Sequence, residues 1–509
     1  MESHTAEDSM QAHPATSTSP LYAVIDLGSN SFHMLITRLV ADGVQIVDKV
    51  KRKVRLASGL DEQNNLSQEA MSRGLECLSF FAERLQDIAP ENIRIVATAT
   101  LRIATNGQEF ITKANEVLGH QVRLLSGIEE AERIYLGVAH TSDCGAKKLV
   151  LDIGGASTEL VIGEHFSIHQ ASSLNMGCVT FNQRFFEDGH ITLQRFERAV
   201  ADAKSQLLPL LKDYTEFGWQ SVLGGSGTMQ ALAEILMHRK LPAIVTLPFM
   251  HDLKQQAITS GDISNIDIDG LTSDRKPVFV SGLAILIALF ESFEISALQL
   301  SSGALREGLL YEMLPDMRKV NIRTRTIHSL VERFHIDVAH ADRVSQQASH
   351  LFDCYAKTWQ LNEQLKQLLI SACQLHEVGL LLSYKYHQQH GAYIIQHADL
   401  PGFDQTERQL IVTLIKLHKG DIDGALLDKL ALVDKEKASQ LLAIFRLAVI
   451  LCRRRQDEVL PEYTTDADKH TIKLCLPSTW LEKHPLIADE LLHENDHLAT
   501  LGLSLVISC

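Results

Sequence analysis

The chain has 509 residues, 45% hydrophobic and 22% charged, with a formal net charge of −15. One hydrophobic core does not organise that length, so three or four domains are expected, and the acidic balance argues against nucleic acid as a general partner. The longest apolar run, 283–290, is too short to span a bilayer, and eight scattered cysteines without a Cys-x-x-Cys pair read as reduced thiols, so a cytoplasmic protein with no membrane association is expected.

Residues 1–20 are rich in Ser, Thr, His and Pro, show no secretory signal, and are expected to form a disordered tail. From Leu21 an apolar run leads into Asp26-Leu27-Gly28-Ser29-Asn30-Ser31. The pattern Asp-apolar-Gly-x-x-Ser returns behind a second apolar run at Asp152-Ile153-Gly154-Gly155-Ala156-Ser157. A carboxylate at the end of a buried strand, followed by glycines and hydroxyls, suits a turn whose backbone N–H groups face a phosphate while the carboxylate holds a metal ion. Two copies predict a duplicated fold with a phosphate cleft between the halves.

After the first turn, runs 34–40 and 44–50 flank Asp42-Gly43, so three antiparallel strands are expected to open the domain. Lys49, Lys51, Lys53 and Arg55 alternate at period two and are predicted to share one face, as a rail for a chain of phosphates or as a guarded sheet edge. Ser67 caps a helix whose stripe is Met71, Leu75, Leu78, Ala82 and Leu85. A strand over 93–100 is predicted to end in Thr98-Ala99-Thr100-Leu101-Arg102, which places Arg102 at a common ligand position. Ser126-Gly127-Ile128-Glu129-Glu130-Ala131 opens the next helix, with Ser126 and Glu129 at capping-box spacing. Glu130 has no such structural duty: it is either a surface acid or a carboxylate that positions water in the cleft.

The second half repeats the hairpin over 149–151, 158–162 and 167–172. A third glycine-rich turn, Gly224-Gly225-Ser226-Gly227-Thr228, stands between an apolar run and a helical pattern, the layout of an anion site. Segments 277–291 and 300–314 read as buried, and Arg306 in the second is expected at a domain interface rather than on phosphate. Composition changes near Val320, and 327–455 is almost wholly helical. Its histidines (His340, His376, His387, His390, His397, His418) mostly lack an acidic neighbour and read as structural. Strands at 471–476 and 504–508 with a helix over 485–493 make a small terminal α/β unit. The chain thus divides into 21–140, 141–320, 321–460 and 461–509 behind the tail.

The two Asp-Gly turns, Ser126-Gly127-x-Glu129-Glu130-Ala131, Gly225-Ser226-Gly227-Thr228, Gly303-Ala304-Leu305-Arg306-Glu307-Gly308 and Leu375-His376-Glu377-Val378-Gly379 resemble, in this order, the exopolyphosphatase and guanosine pentaphosphate phosphatase family. The resemblance covers essentially all of the chain beyond the tail. It implies an α/β fold of two actin-like, ribonuclease-H-type domains, followed by an all-α domain related to HD phosphohydrolases, usually in a homodimer. Ala97-Thr98-Ala99-Thr100-Leu101-Arg102, Ala156, Lys51-Arg52-Lys53-Val54-Arg55 and Arg453-Arg454-Arg455 resemble the branch that converts guanosine pentaphosphate to guanosine tetraphosphate in the stringent response.

Carried over by motif, Glu130 matches the catalytic carboxylate, and Asp152, with Asp26 opposite, matches the positions that organise magnesium and water. Ser29, Asn30, Ser31, Gly155, Ser157, Thr158 and Gly227 match the phosphate loops, and Arg102 is expected to meet the phosphate chain. In the helical domain His376-Glu377 stands where an HD site has His-Asp, and the distal Asp is replaced near Ala448-Val449, so no metal is assigned there. Polyphosphate hydrolysis is the alternative within this chemistry. A non-hydrolytic nucleotide sensor is the alternative outside it, and the Glu130 and Asp152 pair argues against that.

Overall fold

The computed structural model describes residues 19–41, 43–143, 145–318, 321–457 and 459–508. Nearly all of the expected tail, Asp42 of the hairpin turn and the composition boundary at Val320 lie outside the described residues.

The first sheet holds β1 (Leu21–Leu27), β2 (Ser31–Val40), β3 (Gly43–Lys53), β4 (Ile93–Ala97) and β5 (Arg123–Leu124), in the order β3-β2-β1-β4-β5. The second holds β6 (Lys147–Ile153), β7 (Thr158–Glu164), β8 (Ser167–Leu174), β9 (Ser221–Gly224), β10 (Ile244–Val245) and β11 (Leu298–Leu300), in the order β10-β11-β9-β6-β7-β8. In both, an antiparallel three-stranded meander is followed by strands parallel to its first member. β8-β7-β6-β9-β11 therefore repeats β3-β2-β1-β4-β5, with β10 added at the edge. Short hairpins suffice for the antiparallel strands, whereas the parallel ones need helical crossovers. The recurrence of both connection types in one order makes the halves a structural duplication.

Two sequence expectations change here. The strand expected over 93–100 stops at Ala97, because the carbonyl of Thr98 accepts hydrogen bonds from the amides of Leu101 and Arg102 and starts the short Ala99–Ile103 helix. Arg102 therefore sits on a helical turn. The period-two strip of cations also ends early: Arg55 lies beyond β3 with φ at 52°, and its amide bonds to Asn30. A residue in the left-handed region breaks the alternation, so Arg55 does not share the face of Lys49, Lys51 and Lys53.

Between the sheets lies a shared apolar layer. Val24 and Val96 from the first and Val150, Val161 and Leu223 from the second pack with Ile134, Tyr135 and Val138 of the Gly127–Thr141 helix and Leu309 of the Leu305–Glu312 helix. These two helices cross backbone to backbone. A Cβ added at Gly308 would stand 1.7 Å from the carbonyl oxygen of Arg133, and one at Gly137 would stand 2.1 Å from that of Ala304. Glycine is required at both positions by the close approach.

The rest of the chain is helical from Ile322 to Leu451 and ends in a small sheet of Thr464–Ala467, Thr471–Cys475 and Ser504–Ser508. Ile472, Leu474 and Leu491 of the terminal unit share one buried cluster with Leu351, Leu414 and Leu442 of the helices. Contacts to the α/β halves are polar and specific. The hydroxyl of Ser329 donates to the carbonyl of Val40, the amide of Gly402 donates to the carbonyl of Thr141, and Arg323 bridges Asp143 and Glu407. Among the described residues no helix is long and apolar enough to cross a membrane.

Candidate active site

β1 and β6 each deliver an aspartate to the floor of one cleft between the halves, at the ends where Gly28 and Gly154 turn the chain. Strand register places its neighbours. Asp26 lies opposite His33, and His33 opposite Lys51, so the three form a row on one face of the first sheet. His33 Nδ1 stands 3.6 Å from Asp26 Oδ2. Burial holds the His33 imidazole below its ordinary pKa despite that carboxylate, so it is neutral at pH 7. In the second half Asp152 lies opposite Glu159.

The glycine-rich turns close the cleft from three sides. Ser29, Asn30 and Ser31 face Gly155 and Ser157, and the Gly225–Thr228 turn supplies the third wall. A Cβ on Gly155 would approach Ser29 Cβ to 2.7 Å, so the two phosphate turns touch. Gly227 opens the Gly227–His238 helix beneath Ser226, whose buried hydroxyl has no hydrogen-bond partner among the described residues. A helix N-terminus with free N–H groups and an unpartnered hydroxyl is an anion cradle.

Glu129 and Glu130 part company within one turn. Glu129 completes the capping box with Ser126 and pairs with Arg123, and the bonds from Ser126 draw its carboxyl down to about 2. Glu130 is 8% exposed and receives a 2.6 Å hydrogen bond from Arg102 Nη1. Burial pushes its carboxyl up to about 7 against the pull of Arg102. Burial also raises Asp152 to about 7, with the Glu130 and Asp26 charges adding to the effect. A carboxyl poised near neutrality at a phosphate cradle suits a general base.

Several site residues differ from expectation. Arg102 bonds to Glu130 and to the carbonyl of Leu125 and is not among the residues that line the cleft. Thr158 is fully buried and donates its hydroxyl to the carbonyl of Met176, away from the cleft. Of the basic strand only Lys51 lines the cleft, while Lys53 pairs with Asp274 across its mouth. Arg306, expected at an interface, lines the cleft as well, and its charge reaches His33 and Asp152.

Sequence reasoning missed Arg275 and Glu159. Arg275 sits before the Lys276–Ser292 helix and donates to Gln230 at 3.2 Å, with no motif around it. Glu159 is fully buried, accepts from Ser173 Oγ at 2.8 Å, and is raised by burial and by the charges of Glu130 and Asp152. Hairpin register was the available signal, because it sets Glu159 directly beside Asp152.

Buried carboxylates crowd one cleft, and Asp26 Oδ1 lacks any hydrogen-bond partner among the described residues, so these oxygens could hold a hard divalent cation. Among the described residues they do not draw together into a three-ligand cage by themselves. Magnesium requires no such cage: it keeps several waters and takes one or two carboxylates plus substrate oxygens.

Comparison with known proteins adds the decisive observation: the Ppx/GppA phosphatase family matches residues 35–317, and its domain III matches residues 322–495. The chain belongs to the Ppx/GppA phosphatase family. Two family members of the same length class are the guanosine-5'-triphosphate,3'-diphosphate pyrophosphatases of Pseudoalteromonas translucida, 47% identical over 96% of this chain and 98% of that one, and of Vibrio cholerae, 47% identical over 97% and 99%. Among solved Ppx/GppA structures, an exopolyphosphatase from Cytophaga hutchinsonii is 26% identical, with a TM-score of 0.53 over 59% of this chain and 99% of its own. The Aquifex aeolicus family member, 23% identical with a TM-score of 0.50, shares the fold over 59% of this chain and 99% of its own.

Proposed function

We propose that the chain hydrolyses the terminal 5' phosphoanhydride of guanosine pentaphosphate, giving guanosine tetraphosphate and phosphate. The observation that carries the proposal is Glu130, buried at the phosphate turns, raised to about 7 and held by Arg102. The names of full-length relatives at 47% identity support guanosine pentaphosphate as the substrate.

Phosphoanhydride hydrolysis asks the protein mainly for positioning and charge neutralisation. Ser29, Ser31, Ser157 and the turn amides would hold the terminal phosphate, while Lys51, Arg275 and Arg306 neutralise the oxygens that gain charge. Glu130 takes a proton from the attacking water, and Arg102 keeps its carboxylate aimed as that proton arrives. Asp152 and Asp26 would hold a magnesium ion, which when bound neutralises phosphate charge. Hydrolysis in excess chelator would remove the cation from this scheme.

Polyphosphate is the second substrate reading. The cations on the cleft are indifferent to a base, and Lys51 stands on a strand that leads outward past Lys53. Parallel phosphate-release assays on guanosine pentaphosphate and long-chain polyphosphate decide between them. The proposal expects the larger kcat/KM on guanosine pentaphosphate, and a larger value on polyphosphate reverses the assignment. A cytoplasmic homodimer belongs to the same reading, and light scattering of the purified chain tests its oligomeric part.

A further inference from the structure

Duplication invites a comparison of the two halves at one position. In each, the aspartate near the end of the first strand has a partner directly opposite on the second strand: His33 faces Asp26 across β1 and β2, and Glu159 faces Asp152 across β6 and β7. Antiparallel register sets such partners side by side on one face of the sheet. The second half therefore places a carboxylate beside its aspartate, and the first half places an imidazole there. An imidazole N–H donates to a carboxylate, whereas an ionised carboxylate only accepts.

Asp26 and His33 each keep one atom unused. His33 Nδ1 approaches Asp26 Oδ2 to 3.6 Å, while Asp26 Oδ1 is buried with no hydrogen-bond partner among the described residues. Nδ1 is itself a buried atom without such a partner, because 3.6 Å lies beyond hydrogen-bond range. Two unsatisfied polar atoms on neighbouring side chains call for an explanation. Both residues line the cleft. Strand order decides the tautomer. β2 runs between β1 and β3, so the ring stands between the Asp26 carboxylate and the Lys51 ammonium, and a proton on Nδ1 with a lone pair on Nε2 suits both neighbours.

We propose that His33 is a positioning residue for the divalent cation of the cleft: its Nδ1–H holds Asp26 by Oδ2 and leaves Oδ1 free for the ion. This rests on the reading of Asp26 as a magnesium ligand. A carboxylate with no outer partner turns about its last bond and offers either oxygen, so ligating carboxylates are themselves hydrogen-bonded. Magnesium demands near-ideal octahedral geometry and takes few protein oxygens, so the aim of each one counts in affinity. The His33 to Asp26 contact has to shorten by about half an ångström to become a hydrogen bond. Bonds of this kind are often long in an empty site and tighten once it is filled.

The test uses the full chain, stripped by chelator and titrated with manganese(II), whose free fraction is read by electron paramagnetic resonance. Manganese shares magnesium's preference for oxygen ligands. His33→Leu removes the donor and keeps an apolar body. His33→Asn restores a donor, because its amide nitrogen occupies the place of Nδ1. Asp26→Asn and His33→Leu should both weaken manganese, His33→Leu by the roughly 10–100-fold that losing an outer-shell partner brings, and His33→Asn should recover most of that loss. A ring that only fills space predicts the reverse order, since leucine fills an apolar gap better than asparagine. Thermal melting without metal checks the fold of each variant. If His33→Leu does not fold, His33→Gln replaces it, because its amide reaches the place of Nε2 and misses Asp26.

Two failures are distinguishable. If the wild type binds manganese no better than Asp26→Asn, Asp26 is not a ligand, and the cation reading falls together with this inference. If Asp26→Asn loses the ion while His33→Leu binds it like the wild type, or while His33→Leu and His33→Asn lose it equally, the ligand stands and the role of His33 alone is overturned.

Discussion

Adjacent glutamates with opposite surroundings give the sharpest test at the scale of single residues. Glu130→Gln removes the base while keeping its shape, and kcat should fall by roughly 10² or more, measured by phosphate release. Glu129→Gln loosens a cap and should change kcat little. Equal effects would sink the assignment. Because Glu130 must be ionised to accept a proton, kcat/KM should rise with pH and level off above about 7. Stability runs the other way. Between their ordinary values of 4.5 and 3.8 and the raised value of about 7, folded Glu130 and Asp152 hold protons that the unfolded chain releases, so stability falls as pH climbs through that window. Asp152→Asn should therefore raise Tm at pH 8 relative to wild type while lowering turnover, and an unchanged or lower Tm counts against the burial argument. From sequence, Glu129 was legible through its capping spacing, which left Glu130 as the carboxylate without structural employment. Arg102 was found, but not its partner, because nothing local says that a residue 28 positions away will fold against it.

At the scale of elements, β3 and the helix crossing carry separable consequences. Burial and the neighbouring guanidinium groups of Arg275 and Arg306 hold the Lys51 ammonium below its ordinary pKa, and of the strand's lysines Lys51 lines the cleft. Lys51→Glu should raise KM more than it lowers kcat, since such a contact binds ground and transition states alike. Lys49→Glu, two residues further from the cleft, should do less. Equal changes in KM would return the strand to the role of a guarded edge. The crossing of the Gly127–Thr141 and Leu305–Glu312 helices orients Glu130 and Arg306 together, and it tolerates no side chain at Gly308. Gly308→Ala should destabilise by at least the roughly 1–3 kcal/mol typical of overpacking, read from denaturant unfolding. Both meanders, the helices that open at Ser67 and Ser126 and the helical character of 327–455 were visible in apolar periodicity and turn signals. The contact of backbones at Gly137 and Gly308 was not, since a glycine in a helical pattern looks the same whether it faces solvent or another helix.

For the whole molecule, a chain of net charge −15 gathers its attraction for polyanions into a few cleft cations and fastens its helical half through a small number of polar joints. Arg323 holds the nearly buried Glu407 through both carboxylate oxygens, at 2.8 and 2.9 Å, and also reaches Asp143. Arg323→Ala leaves Glu407 buried without its cation, a loss of roughly 3–5 kcal/mol for pairs of this kind. Because Arg323 and Glu407 both belong to the helical part and only Asp143 lies across the joint, calorimetry should show the helical part melting at lower temperature, and an unshifted transition would count against the loss. The duplicated halves were legible because one motif occurs twice, whereas the mouth of the cleft was not, because Asp274 lies in a stretch without pattern. That mouth has a kinetic meaning. Lys53 and Asp274 join the two halves across it with solvent-exposed side chains, and exposed pairs bias a conformation without locking it. Under the proposed function an arriving phosphate would compete with Asp274 for the same ammonium, so substrate entry would loosen this pair.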